Sequence, residues 1–168
     1  MRTHSPLVVD VTELLESHPS PKALEFVASV DGLQVGLSSA HPEMRFELVA
    51  EHIDGGIWVR GSVLGRYEAS CRRCLVEMEK PFTFEAAELY RPAGEVWDEG
   101  YVINETSIDL GPLVRDTVLL NLPADPLCRD DCAGLCPRCG RNLNEEPHEH
   151  SPEVDDRWTA LRELRNTE

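Results

Sequence analysis

The segment "IWVRGSVLGRYEASCRRCLVEMEKPFTFEA", residues 57–86, decides the fold predicted for this chain. The apolar positions of its first half share one parity: Ile57, Val59, Val63, Tyr67, Ala69 and Cys71. The polar positions share the other parity: Arg60, Ser62, Arg66, Glu68 and Ser70. Alternation resumes after the cysteines, at Val76, Met78, Phe82, Phe84 and Ala86. A period of two is typical of strands with one buried face, so "CRRC" is predicted at the tip of a long hairpin.

The tip of this hairpin has the spacing of a metal-binding turn. Cys71 and Cys74 are the innermost positions on either side of it. A C-x-x-C at such a turn lets both sulfurs converge on one side, where backbone N–H groups face them.

The segments before the hairpin predict further strands. Residues 7–11 predict a short strand, and Thr12 is expected to cap a brief helix over "ELLES". Residues 24–30 alternate, and Asp31-Gly32 predicts a hairpin turn to a return strand over residues 33–37. A second hairpin is expected where the alternating residues 44–50 meet "DGG", residues 54–56.

The segments after the hairpin predict a single packed helix. "YVINETSIDL", residues 101–110, is predicted to be a strand leading into that helix. Apolar residues then recur at helical spacing, with Pro112 in the first turn, where proline is tolerated, and Leu122-Pro123 at the end. The predicted fold class is α+β, a mostly antiparallel sheet or partial barrel with one packed helix and a C-terminal zinc-binding segment. Three regions are expected: a β-rich core with the helix (1–126), the zinc-binding segment on the 71–74 tip (127–150), and a tail with a short helix (151–168).

The composition predicts the cellular compartment, and the compartment indicates what kind of chemistry the cysteines take part in. The chain has 168 residues, 41% of them hydrophobic, and no apolar stretch approaches the roughly 20 residues of a membrane span. The N-terminus lacks a long apolar run before a small-residue cleavage site, so a cytoplasmic protein is predicted. In a reducing cytosol, a dense cysteine cluster more often binds metal than forms structural disulfides.

The distal segment "CRDDCAGLCPRCGRNLNEEPHEH", residues 128–150, holds four cysteines and two histidines. Its "CPRCG", residues 136–140, is a C-P-x-C-G motif. Proline fixes the backbone of a tight turn, and Gly140 admits the positive φ needed after the second cysteine. With proline and glycine in these places, the motif favours a tetrahedral thiolate site.

Eight candidate ligands are enough for two tetrahedral sites, and zinc is the ion that thiolate and imidazole ligands favour. In the two-site arrangement, the first site is formed by Cys71, Cys74, Cys128 and Cys132. The second is formed by Cys136, Cys139, His148 and His150. A single site from Cys128, Cys132, Cys136 and Cys139 is also open, as is a ribbon joining Cys71 and Cys74 to Cys136 and Cys139. One or two zinc ions are therefore expected. Alternatively, both histidines belong to a solvated acidic loop, whose carboxylates raise the histidine pKa and hinder metal binding at low pH.

The motifs argue against an enzyme. A zinc deaminase needs H-x-E upstream of P-C-x-x-C, but here the histidines lie downstream. A thioredoxin-type redox site needs its C-x-x-C at the start of a helix, and Cys71 and Cys74 are predicted between two strands. The sequence has no Ser/His/Asp or phosphate-loop motif. A non-enzymatic protein is predicted.

Charge limits the partners. The net charge is −15, which disfavours indiscriminate binding to nucleic acid. Half of the sixteen basic residues nevertheless lie near the cysteines. Candidates for a positive contact surface are Arg60, Arg66, Arg72, Arg73, Arg138 and Arg141. The alternative interpretation is that these arginines are ordinary solvated side chains.

Two segments together resemble a known family. "SCRRCL" and "LLNLPADPLCRDDCAGLCPRCGRNLNEE" resemble the YceD-type family, the large ribosomal RNA subunit accumulation proteins, over roughly residues 70–144. The resemblance implies a bacterial factor needed for accumulation of the 23S ribosomal RNA precursor. Its expected partner is the large-subunit precursor, contacted through ribosomal protein or 23S rRNA, with no membrane and no small-molecule substrate.

The resemblance also bears on the ligands. Family members with the full pattern usually follow it with a C-x-C-like pair, and His148 and His150 take that place here. Other members keep only the first C-x-R-C and a polar pair after the helix, which implies that Cys71 and Cys74 belong with Cys128 and Cys132. A different class of function remains as an alternative: a thiol-based redox or zinc sensor in which Cys71 and Cys74 cycle to a disulfide.

Overall fold

The computed structural model describes residues 6–16, 20–94 and 100–150. The described residues form one curled, nine-stranded half-barrel sheet and two helices. In chain order these elements are β1 (Val8–Asp10), α1 (Thr12–Leu15), β2 (Lys22–Ser29), β3 (Gln34–Val35), β4 (Ser38–Ala40), β5 (Glu43–Ile53), β6 (Gly56–Ser70), β7 (Glu77–Pro92), β8 (Tyr101–Asn104), β9 (Ser107–Asp109) and α2 (Gly111–Asn121).

The β6–β7 hairpin organises the sheet, as its alternation predicts. The two strands pair in antiparallel register from Ile57 opposite Tyr90 to Ser70 opposite Glu77. On its other edge, β6 pairs first with β5 and then, near the tip, with β4. Gly61 allows the close approach of β5, because a Cβ there would lie 2.2 Å from the carbonyl oxygen of Glu47. The apolar parity of β6 is buried, so the hairpin forms one wall of the core.

The partner of β2 differs from the prediction. The prediction of a hairpin from β2 through Asp31-Gly32 to a return strand is wrong, because β2 pairs with β5 along its whole length. The short β3 pairs with β4 instead. The β2–β5 register stacks Phe26 on Phe46, with ring centroids 4.9 Å apart. It also buries Leu24 beneath the sheet, and this burial outweighs a local turn.

The chain after β7 differs from the prediction over residues 101–110 and agrees with it in α2. Residues 101–110 form two antiparallel strands, β8 and β9, joined at Glu105, whose φ is +55°. β8 pairs in parallel with the end of β7, and β1 pairs with β9. α2 then packs against β7 with Pro112 in its first turn, as predicted, and buries Leu113, Val114, Thr117 and Val118.

Two smaller points complete the fold. α1 starts at Thr12, and its N-cap residue is Val11, which makes no side-chain capping bond, so the prediction that Thr12 caps the helix is wrong. The N–H of Thr12 donates to the carboxylate of Asp10 (2.8 Å). None of the described helices is long and apolar enough to cross a membrane. The expected short helix after residue 150 lies outside the described residues.

Candidate metal centre

The tip of the β6–β7 hairpin is a tight turn with its backbone N–H groups aimed at sulfur. The N–H of Cys71 donates to the carbonyl of Val76 (2.9 Å), and the N–H of Leu75 donates to the carbonyl of Cys71 (2.9 Å). The N–H of Arg73 donates to the sulfur of Cys71 (3.5 Å). This is the arrangement expected of a metal-binding C-x-x-C turn.

The C-P-x-C-G motif repeats the same turn. The N–H of Cys136 donates to the carbonyl of Arg141 (2.8 Å), and the N–H of Gly140 donates to the carbonyl of Cys136 (2.8 Å). Gly140 has φ +72°, and Leu75 has φ +59° at the corresponding position. The predicted positive φ of Gly140 is therefore confirmed. A leucine in this left-handed conformation costs about 1–2 kcal/mol relative to glycine.

The chain after α2 returns to the hairpin tip and is held there by backbone contacts. The N–H of Arg72 donates to the carbonyl of Pro126 (3.0 Å), and the N–H of Leu135 donates to the carbonyl of Arg73 (3.1 Å). The ammonium group of Lys80 donates to the carbonyl of Leu127 (3.1 Å). These bonds place residues 126–135 over the tip.

This return gathers the first group of four thiols: Cys71, Cys74, Cys128 and Cys132, whose sulfurs all lie within 4.8 Å of one another. The Sγ atoms of Cys71 and Cys132 are 3.8 Å apart, and those of Cys74 and Cys128 are 3.6 Å apart. A tetrahedral zinc site with Zn–S bonds of about 2.3 Å requires sulfurs about 3.8 Å apart. Three of the four are buried, so the donor set fits a closed structural zinc site.

The electrostatics of this group also suit a cation. Burial raises the pKa of Cys71, but N–H groups of Cys74, Cys128 and Arg73 oppose that effect and lower the pKa to about 6. Burial, together with the neighbouring sulfurs, raises the pKa of Cys128 to about 12. One thiol therefore ionises readily while another resists, because crowded thiolates repel each other without a cation between them.

The second group contains Cys136, Cys139, His148 and His150, again with donor atoms within 4.8 Å of one another. The sulfur of Cys139 lies 3.1 Å from Nε2 of His148. Nδ1 of His148 lies 2.7 Å from the carbonyl oxygen of Glu146. With the proton on Nδ1, Nε2 keeps its lone pair for a metal, which is the usual orientation of a metal-binding imidazole. Cys139 and His150 are exposed, so this group is more open than the first.

The arrangement of the eight donors is that of the two-site interpretation. Cys128 and Cys132 are grouped with the hairpin tip and not with Cys136 and Cys139. Each group could offer four ligands to an ion, which is the number that a structural zinc site uses.

Comparison with known proteins places this geometry in a family. Residues 59–165, which include all eight donors, match the sequence model of the family described as "Large ribosomal RNA subunit accumulation protein YceD". The chain belongs to the YceD family. The resemblance found in the cysteine segments is thus confirmed.

The relatives of this YceD-family chain match different shares of its length. The uncharacterized protein Rv2926c of Mycobacterium tuberculosis is 34% identical over 95% of this chain and 82% of its own length. YlbN of Bacillus subtilis is 26% identical over 61% of this chain and 63% of its own length. The large ribosomal RNA subunit accumulation protein YCED homolog 1, chloroplastic, of Zea mays is 36% identical over 29% of this chain and 17% of its own length. No solved structure matches the chain.

The six arginines singled out in the sequence do not all lie close to the cysteine turns. Arg60 lies eleven residues before Cys71 on β6, roughly 36 Å along an extended strand. Three of the six form ion pairs with carboxylates: Arg60 with Glu51, Arg66 with Glu79, and Arg141 with Glu146. Arg72 and Arg138 lie exposed in the two C-x-x-C turns.

Arg73 has a role that the sequence did not predict. Its guanidinium donates to the carbonyl of Cys132 (2.9 Å) and to that of Asp130 (3.5 Å). Its own carbonyl accepts the N–H of Leu135. Arg73 therefore ties the hairpin tip to the ligand-bearing segment of this YceD-family chain.

Asn144 is a second residue that the ligand analysis missed. Its Nδ2 donates to the sulfur of Cys132 (3.4 Å) and to Oδ1 of Asn142 (2.7 Å). Its Oδ1 accepts the N–H of Ala133 (2.8 Å) and a guanidinium N–H of Arg129 (2.7 Å). The sequence clue was the "NLN" that ends the family-like segment, residues 142–144, although asparagine is not itself a zinc ligand of this type.

Proposed function

We propose that this chain is a non-enzymatic zinc-binding factor that supports 23S ribosomal RNA accumulation and assembly of the large ribosomal subunit. The observation that carries the proposal is the four-sulfur group joining the hairpin tip to the chain after α2, in a member of a family described by large ribosomal RNA accumulation. The proposed zinc ligands are Cys71, Cys74, Cys128 and Cys132 at the first site, and Cys136, Cys139, His148 and His150 at the second.

Zinc at these sites would have a structural role. A four-ligand zinc site contributes folding free energy, because the ligands are gathered only in the folded chain. Here the gathered segments are far apart in sequence, since Cys74 and Cys128 come from opposite sides of α2. The metal would therefore fix the surface formed by the tip and residues 126–135, which suits binding rather than catalysis.

The partner we propose is a precursor of the large subunit in the cytoplasm. A net charge of −15 favours contact with a basic protein of that particle over indiscriminate contact with RNA. Direct contact with 23S rRNA would use the exposed cations of the two turns, Arg72 and Arg138. No small-molecule substrate or membrane takes part.

Sedimentation of cell extract on a density gradient tests this function. The full chain is expected to co-migrate with large-subunit precursors, and its depletion is expected to lower 23S rRNA. A Cys74→Ser variant is expected to lose both the first-site zinc and the co-migration, whereas Ser29→Ala, at an exposed position on β2, should retain both. Absence of the wild-type chain from large-subunit particles, with normal 23S levels after depletion, would refute the role.

The sensor function has one observation in its favour, which is the proximity of the four sulfurs of the first site. Forming a Cys71–Cys74 disulfide removes two electrons and two protons, which hydrogen peroxide would accept to give water. Burial of both thiols opposes access by such an oxidant. The sensor requires that peroxide release zinc and lower the mass of the chain by about 2 Da, since a disulfide lacks two thiol hydrogens. Retained zinc and unchanged mass would rule it out.

A further inference from the structure

Asn144 lies between the two groups of ligands and contacts one of them directly. All its amide hydrogen-bonding groups are used, because Nδ2 makes two bonds and Oδ1 accepts two. The two donors facing Oδ1, one from a backbone N–H and one from a guanidinium, fix the orientation of the amide. Its N–H group is therefore aimed at the sulfur of Cys132, the last ligand of the first site.

The backbone that carries Asn144 belongs to the second site. Residues 140–147 form the loop between Cys139 and His148. Within it, the N–H of Leu143 donates to the carbonyl of Gly134 (2.9 Å), and Asn142 forms a β-bridge with Leu135. The loop that closes the second site is thus folded against Gly134 and Leu135, which come shortly after Cys132 in the chain.

We propose that Asn144 couples the two sites, so that metal binding at the second site strengthens metal binding at the first. The inference rests on the proposed metal binding and names how that binding is regulated. A metal held by Cys139 and His148 closes the intervening loop and removes the chain entropy that otherwise opposes ordering of Asn144. Once ordered, the amide donates to the Cys132 thiolate, and such outer contacts typically change metal affinity 10–100-fold.

The coupling is reciprocal, because linkage between two binding equilibria acts equally in both directions. Metal at the first site must therefore strengthen the second by the same factor. Asn144 is a positioning residue in this scheme, since it holds a ligand and does not contact the metal.

Metal titration of the full chain tests the proposal with a double-mutant cycle. The probe is cobalt(II) in competition with zinc, because thiolate-to-cobalt absorption separates a four-sulfur site from a two-sulfur site. First-site affinity is measured in the wild type, in Asn144→Ala, in the His148→Ala/His150→Ala double variant, and in all three changes combined. We expect Asn144→Ala and the double variant each to weaken the first site about tenfold, and the combination to weaken it no further than about twofold more.

Arg141→Ala provides the matched control. It removes a side chain of the same loop whose ion pair is with Glu146 and not with Asn144, so first-site affinity is expected to fall less than about threefold. The charge-transfer band of the first site should shift in Asn144→Ala and stay in place in Arg141→Ala. A merely structural role for Asn144 would not move that band.

Additive losses in the combined variant would overturn the proposal. The proposal would also be overturned if loss of both histidines left the metal affinity of the first site unchanged. This comparison needs no Asn144 variant, so it remains available if Asn144→Ala fails to fold. Either result, with two ions still bound to the wild type, would leave the proposed function standing. A wild-type chain that binds no metal would instead refute the metal role itself.

Discussion

Replacing Arg73 with alanine should weaken the clamp between the hairpin tip and the ligand-bearing segment. The change removes the guanidinium bond to the carbonyl of Cys132 (2.9 Å) but keeps the backbone bond to Leu135. A hydrogen bond from a charged donor contributes about 1.5–3 kcal/mol when buried. Arg73 is exposed to solvent, so we expect a loss of about 1 kcal/mol. For a chain of this size that is a fall in Tm of about 2–4 °C.

Thermal unfolding of the zinc-loaded full chain measures this effect, with Arg72→Ala as the matched control. The control removes the same charge from the same turn, while the backbone bond of Arg72 to Pro126 remains. We expect its Tm to stay within about 1 °C of the wild type, as for most surface changes. Equal Tm values for the wild type and both variants would refute the clamp. An equal fall in both variants would show that charge, and not the contact with Cys132, is responsible.

Three further predictions concern the two turns and the second site. Leu75 is 60% exposed at φ +59°, so Leu75→Gly should stabilise the chain by up to about 1 kcal/mol in denaturant unfolding. The control variant Val76→Gly should destabilise the chain. A stability of Leu75→Gly below that of the wild type would contradict the reasoning. Gly134→Ala and Gly140→Ala both create a left-handed alanine costing about 1–2 kcal/mol, but only the first places a Cβ 3.2 Å from a backbone oxygen of the hairpin tip. Gly134→Ala should therefore cost more, and equal costs would argue against close packing there. Cys139 and His150 of the second group are exposed, whereas three of the four sulfurs of the first group are buried, so on acidification protons should reach and displace a metal from the second site before the first. Cobalt absorption against pH checks this order, and earlier loss from the first site would contradict it.

The strongest part of the sequence prediction was the long hairpin. Its alternation extends over many residues, and the two strands it predicts do pair as a hairpin, with "CRRC" at the tip. The helix was predicted for a similar reason, because Leu113, Val114, Thr117 and Val118 repeat at helical spacing and all are buried. Long periodic patterns are informative because each additional residue must agree with the same buried face.

The errors fall where short-range patterns compete with long-range pairing. Asp31-Gly32 is a good hairpin turn, and Gly32 does adopt φ +74°, yet β2 gains more by stacking Phe26 on Phe46 of β5. The turn between β8 and β9 was not predicted because Glu105 has a positive φ, a conformation that is more common for glycine and asparagine. The parallel pairing of β8 with β7 depends on a crossover that no local pattern specifies.

The candidate ligands could be listed from the sequence, but their grouping could not be fixed by spacing alone. Cys128 is closer in sequence to the second turn but lies against the first in space, because the chain returns over the hairpin tip after α2. The supporting residues were harder still. Arg73 resembled a surface cation and Asn144 a loop residue, and only the folded chain shows that both act on Cys132.

The number of zinc ions held by the intact chain tests the central claim most directly. Native mass spectrometry of the full chain, purified without chelator, is expected to show two zinc ions per molecule. Cys74→Ser should retain one ion or fewer, because it removes a ligand of the buried four-sulfur site. A wild-type chain that carries no zinc, or one that keeps both ions after Cys74→Ser, would contradict the account.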